Sequence, residues 1–257
     1  MRTYQLMPVM PVKKWNRPEP TAEGISIRVA SWSRALPDLY RYLDYCLDKD
    51  IPYLLHPVAG KFSDGTVGEW IEVAAKEHQD KAEIPIPWDV DHQIWLAQWL
   101  SHLGGIIASH PARFEGWHMP GIRDGSELHI PSELKHYSGW EDKLIKAIKR
   151  RYTMMQRAVN GPVIIDWGSP SPEMAKRLLR WASLHRIGLQ HNALKEHTSE
   201  TWSVHQQVSA HTPHGFQTLG GEKRAGDSEA IFSRAEATGA EWIELYPSQI
   251  RAWAMGQ

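Results

Sequence analysis

Apolar residues along this chain fall into two recurring patterns: short, nearly continuous runs, and longer segments with apolar positions three and four apart. The first is the pattern of buried strands and the second that of amphipathic helices. Ile25 to Trp32 reads as a strand, and Pro37 opens a helix to about Lys49. Ile51 to His56 is a second strand. Thr66 and Glu69 form a capping box for a helix through Trp70, Ile71 and Val73. Glu83 to Trp88 is a third strand, weakened by its prolines. Asp89 caps a helix carrying Leu96, Trp99, Leu100, Leu103 and Ile107 at helical spacing.

Arg113 to Met119 is the fourth strand, and the helix from Trp140 to Ala158 sets Ile145, Ile148, Tyr152 and Met155 on one face. Its basic set of Lys146, Lys149, Arg150 and Arg151 reads as a solvated outer face. Pro162 to Trp167 is the clearest buried strand, and Ser171, Pro172 and Glu173 start a helix. Strands follow at Ile187 to Asn192, His214 to Thr218 and Glu241 to Tyr246, with helices from near Thr198 and from Ser228 to Thr238, the latter capped by Asp227. Eight alternations of this kind predict one α/β domain, a (β/α)8 barrel over residues 23–257. Residues 1–22, with Pro8, Pro11, Pro18 and Pro20, read as an extended Pro-rich arm. A doubly wound sheet is the competing architecture, but no Gly-x-Gly-x-x-Gly follows any strand.

Composition narrows the function. Twenty-nine basic and 30 acidic residues nearly cancel, which argues against a nucleic-acid partner. The single Cys46 excludes an internal disulfide framework and reads as a small core residue. Prolines interrupt the N-terminal apolar residues, so no signal peptide is expected and synthesis is expected in the cytosol. No apolar run is long enough for membrane insertion. Thirteen Trp and 14 His are the unusual counts, and flat Trp faces suit sugar rings.

In such a barrel the strand C-termini and their loops form the functional face. That face would hold Trp32, His56, Trp88, Asp89, His118, Glu127, His129, Asp166, Trp167, His191, Asn192, Gln217, Glu244 and Tyr246. The polar stretch from Gly116 to Pro131 is its richest part. Glycoside hydrolysis needs two acids, and Glu127, Asp166 and Glu244 are the candidates. Each also has a structural reading: Glu127 as a loop brace, Asp166 as a buried anchor, and Glu244 as an ion-pair partner of Arg28. His191 with His197, or His205 with His211 and His214, could be assembled into a ligand set. No compact zinc-protease motif exists, however, so neither metal nor cofactor is expected. No Gly-x-Ser-x-Gly elbow supports a serine hydrolase.

Several motifs in order carry a resemblance: Trp88-Asp89, Ser126 to Pro131, Gly188 to Leu194, Gly215 to Thr218 and Glu241 to Tyr246. Over about Trp15 to Trp253 the chain resembles glycosidase-like (β/α)8 barrels, including minor tail proteins of phages that infect actinobacteria. The resemblance implies action on, or binding to, a cell-surface polysaccharide, with other tail proteins as partners and assembly into a virion tail. It puts Glu127 in the acid/base position after strand four. Gln217 stands where the strand-seven nucleophile would be, and an amide cannot form the glycosyl ester. Glu244, or failing that Asp166, is then the expected second carboxylate. His129, His191, Asn192, Gln217 and Tyr246 would hold sugar hydroxyls, with Trp88 and Trp167 as platforms. The competing expectation is a barrel that binds glycan without cleaving it.

Overall fold

The computed structural model describes residues 1–10, 17–30, 32–63, 66–74, 81–123, 128–167, 172–194, 212–218 and 228–255, without the side chains of 32–34, 167, 172, 192–194, 228 and 253–255. Ten strands occur in these segments: β1 (Arg2–Met10), β2 (Gly24–Val29), β3 (Tyr53–Pro57), β4 (Trp70–Val73), β5 (Ala82–Pro85), β6 (Phe114–His118), β7 (Val163–Trp167), β8 (Gly188–Leu194), β9 (His214–Thr218) and β10 (Trp242–Leu245). Eight of them close a barrel in the order β1-β10-β9-β8-β7-β6-β3-β2, every pairing parallel. Six α-helices occur among the described residues: α1 (Trp32–Lys49), α2 (Val90–Ser109), α3 (Trp140–Ala158), α4 (Pro172–Leu184), α5 (Ser228–Ala237) and α6 (Pro247–Met255). This is an α/β barrel consistent with the TIM type. No described helix is long and apolar enough to cross a membrane.

The eight barrel strands are not the eight that pattern predicts. Arg2–Met10, expected within an arm, is the strand that closes the barrel between β2 and β10. Thr3 to Met7 are all buried, and Pro8 falls where the register with β2 shifts between Leu6 and Val9. A bulge is one place where a strand tolerates a residue without an N–H. Conversely, the strand expected at Glu83 to Trp88 lies outside the barrel. Its first part is β5, paired antiparallel with β4 in a two-stranded sheet. The helix expected after Thr66 is absent because Gly68 has φ of 127°, far from helical values, and the chain runs on extended as β4.

The helices pack as their periodicity demands. Leu96, Trp99, Leu100, Leu103 and Ile107 of α2 are buried, as are Ile145, Ile148 and Met155 of α3. Cys46 is buried in α1, and burial pushes its thiol up to about 12. Arg151 departs from the solvated face expected for its basic run. It is fully buried, and its guanidinium donates to the carbonyls of Pro120 and Gly121, both at 2.7 Å.

Register fixes which side chains enter the barrel. Partners in neighbouring strands share a face, so Tyr4, Gly24, Ser26, Leu54, Gly116, Ile164, Asp166, Gly188, Gln190, Gly215, Gln217, Trp242 and Glu244 all point inward. Tyr4, Leu54, Ile164 and Trp242 pack together as an apolar layer. Two glycines make that layer possible. A Cβ on Gly215 would lie 2.2 Å from the Trp242 ring, and one on Gly24 would lie 2.6 Å from the Tyr4 ring.

His92 of α2 is buried against Trp95, with ring centroids 5.9 Å apart. Burial, reinforced by the Arg151 charge, pushes its pKa down to about 3. Between that value and the unfolded value of 6.5, only the unfolded chain takes up the proton. The His92 contribution to stability is therefore complete above pH 6.5 and declines as pH falls toward 3. Moving from pH 7 to 4.5 should cost about 2.5 kcal/mol through this group. Urea unfolding of His92→Gln should show correspondingly less acid sensitivity than the wild type; an unchanged pH slope would contradict this assignment.

Candidate functional site

Just beyond the apolar layer, toward the C-terminal ends of the strands, the barrel interior changes chemistry. Ser26, His56, His118, Asp166, Gln190 and Glu244 are all fully buried there, carried by β2, β3, β6, β7, β8 and β10. His118, Asp166 and Glu244 each stand at the last or second-last position of a strand, where parallel barrels collect their chemistry.

Glu244 is the hub. Its Oε1 accepts from the Ser26 hydroxyl and lies 3.0 Å from His56 Nε2 and 3.2 Å from His118 Nε2. Its Oε2 accepts from Gln190 Nε2 at 2.7 Å. The Gln190 amide is oriented from below, because the Trp242 indole N–H can only donate and meets Gln190 Oε1 at 2.7 Å. The apolar layer thus aims the amide that holds the carboxylate. On the far side of His118, Nδ1 lies 2.6 Å from Asp166 Oδ1. A carboxylate only accepts, so Nδ1 carries a proton.

The two imidazoles stack with centroids 3.4 Å apart and planes 18° from parallel. Two cations so placed would repel strongly, and their environments divide the roles. Burial pushes His118 down, but the Asp166 and Glu244 carboxylates outweigh it and lift the ring to about 10. Burial and the adjacent His118 charge both push His56 down, leaving it neutral. Burial would raise Glu244, yet His118 and His56 outweigh it and hold the carboxyl well below its usual range. The layer is a carboxylate–imidazolium–carboxylate row with a neutral imidazole stacked on it. Such charges persist in an interior only when each is paired and hydrogen-bonded.

The remaining expected site residues are distributed as follows. Gln217 is buried on the same face as Glu244, its register partner. His191 is buried but pairs in register with Phe216 and Trp167, so it faces outward, and its neighbour Gln190 takes the inward position. Trp88 is half-buried, edge-on to Tyr137 with centroids 5.7 Å apart. Asp89 caps α2, accepting from His92 N at 3.0 Å. His129 and Tyr246 are half-buried, and the Tyr246 backbone N–H donates to Gln249 Oε1 at 2.9 Å. Trp32 opens α1, while Trp167 and Asn192 lie in β7 and β8; their side chains are outside the described set. Glu127, His197, His205 and His211 lie outside the described residues. Arg28 Nε donates to the Met7 carbonyl at 2.6 Å, and His118 Nε2 pairs with Glu244 Oε1 at 3.2 Å.

Ser26, Gln190 and Trp242 are the members that sequence reasoning passes over. Strand parity was the available signal, since Gln190 shares the inward phase of Asp166 and Ser26 alternates with buried Ile25 and Ile27. A separate cavity of about 600 Å³ opens at the opposite, N-terminal end, lined in part by Arg2, Tyr4, Glu115, Arg186 and Trp242. The apolar layer divides it from the charged row, and the ionisable cluster rather than cavity size identifies the site. No protein-family model matches the chain, and no curated protein matches its sequence.

Arg151 connects the helix layer to this site by bracing Pro120 and Gly121, which follow β6 and lead toward Glu127. Burial lowers its pKa to about 10, so the guanidinium remains charged at neutral pH. Arg151→Met would leave both carbonyls without this donor and should destabilise the fold by about 2–4 kcal/mol in denaturant titration. A loss under about 0.5 kcal/mol, the level of an ordinary surface change, would remove the bracing role.

Proposed function

We propose that the chain is a carbohydrate-active (β/α)8 barrel of glycoside-hydrolase type that engages a bacterial cell-surface polysaccharide at the C-terminal end of its strands. The observation that supports this most is the row Asp166–His118–Glu244, two carboxylates bridged by one imidazole on the inward faces of β7, β6 and β10. Carboxylates near the strand ends of a parallel barrel are the equipment of glycosidic chemistry. The resemblance in motif order, with Glu127 after the fourth barrel strand, points the same way.

Within that class, binding without cleavage is the better-supported mode. A nucleophilic carboxylate must present an oxygen to the sugar, whereas Glu244 is fully buried with partners on both oxygens. Asp166 is equally buried and tied to His118. Gln217, at the end of the seventh barrel strand, adds no acid. This favours a glycan-binding minor tail component of a phage, docked with other tail proteins, over a working hydrolase. In the hydrolase reading Glu127 is the general acid.

Incubation of the protein with actinobacterial cell-wall polysaccharides separates the modes. Binding is expected with no release of reducing ends, and Glu127→Gln should change affinity without abolishing it. Hydrolysis lost in Glu127→Gln would establish the enzyme instead. Failure to bind or cleave any polysaccharide tested would overturn the carbohydrate reading.

A further inference from the structure

We propose that His56, His118 and Glu244 form a binding site for one divalent cation of the zinc type, with Asp166 and Gln190 as its outer shell. The proposal goes beyond the carbohydrate reading and does not depend on it. His56 Nε2 and His118 Nε2 stand 3.0 and 3.2 Å from Glu244 Oε1, and the three groups can each offer a ligand atom within 4.8 Å of the others. Ligands bound at about 2.0–2.1 Å to one ion stand roughly 2.8–3.0 Å apart when cis in an octahedron and roughly 3.3–3.4 Å apart in a tetrahedron. The two nitrogen–oxygen separations fit that range, and the stacked rings, with centroids 3.4 Å apart, would rotate to turn both Nε2 atoms onto one ion.

The outer shell is the stronger argument. A metal-bound histidine almost always gives its other N–H to a carboxylate or carbonyl. His118 Nδ1 does so to Asp166 Oδ1 at 2.6 Å, which leaves Nε2 as the ligand atom. That Nε2 is fully buried and pairs electrostatically with Glu244 Oε1 at 3.2 Å, without hydrogen-bond geometry to it or to any other described residue. The same pattern holds for the carboxylate: Gln190 fixes Oε2, itself held by Trp242, and turns Oε1 toward both imidazoles. Charge agrees as well. With both rings as neutral ligands, Asp166 and Glu244 carry two negative charges, which one divalent cation neutralises. Two imidazoles and one carboxylate are a borderline-soft set that suits Zn²⁺ or Co²⁺ rather than Mg²⁺ or Ca²⁺. The ligands come from β3, β6 and β10, far apart in sequence, so no compact motif announces them.

The test uses untagged full-length protein, first as purified and then after chelator treatment. Elemental analysis should find about one transition-metal ion per chain, as a single site requires. Zn²⁺ should raise the Tm of the stripped protein, and Co²⁺ should give the visible absorption of a low-coordinate site. His118→Ala should lose the metal. Because that change also removes a core ring, Asp166→Asn is the second variant: it keeps all three ligands and should bind Zn²⁺ about 10–100-fold more weakly. Stripped, folded wild type that shows no Tm rise with Zn²⁺ and no Co²⁺ spectrum would overturn the proposal. So would binding that is unchanged in Asp166→Asn and His118→Ala. Neither readout involves a glycan, so failure here is distinct from failure of the carbohydrate reading.

Discussion

A carboxylate held ionised at the centre of a closed barrel constrains nearly everything around it. Moving such a group out of water costs several kcal/mol even after relaxation. Glu244 meets that cost with a hydroxyl, an amide, a neutral imidazole and a charged one, drawn from four other strands. The charged imidazole needs its own counter-ion, and Asp166 supplies it. Removing any member leaves another with an unmet demand. The row therefore ties β2, β3, β6, β7, β8 and β10 into one register-dependent unit, since a one-residue slip would turn a strand's contribution to the outer face.

The layer below serves this arrangement. Trp242 occupies the space left by Gly215 and directs the Gln190 amide, while Tyr4 fills the space at Gly24. A bulge between β3 and β6 follows Phe114 and frees Glu115 to meet Tyr4 and Arg2 at the N-terminal end. The barrel thus keeps one polar system at each end with apolar packing between. Among the described residues the C-terminal one concentrates imidazoles and carboxylates, which is why the functional reading rests there.

Much of this is legible in the sequence, and the exceptions have physical causes. The core faces of α2 and α3 follow from helical spacing, and the inward direction of Glu244 follows from its alternation with Ile243 and Leu245. The closing strand β1 is hidden because Pro8 breaks its pattern at a bulge that only tertiary pairing reveals. The Glu83 to Trp88 segment has strand character, yet nothing local says whether a strand joins the barrel or pairs with a neighbour in a hairpin. Arg151 looks like one more surface cation in a basic run, and only the carbonyls of Pro120 and Gly121 explain its burial. In the Gly188 to Leu194 strand, His191 attracts attention by chemistry while parity gives the site to Gln190. The His56–His118 stack joins residues from separate strands, a proximity that only barrel closure creates.

The central claim is that Glu244 and His118 act as one electrostatic unit inside the barrel. A double-mutant cycle with Glu244→Gln and His118→Gln, run by denaturant unfolding in the presence of chelator, measures it directly. Breaking one side of a buried pair costs about 3–5 kcal/mol because the other charge is left uncompensated. The double variant should therefore be less destabilised than the sum of the singles, with a coupling of roughly 2–3 kcal/mol. Additivity to within about 0.5 kcal/mol would contradict the account, because independent residues behave that way.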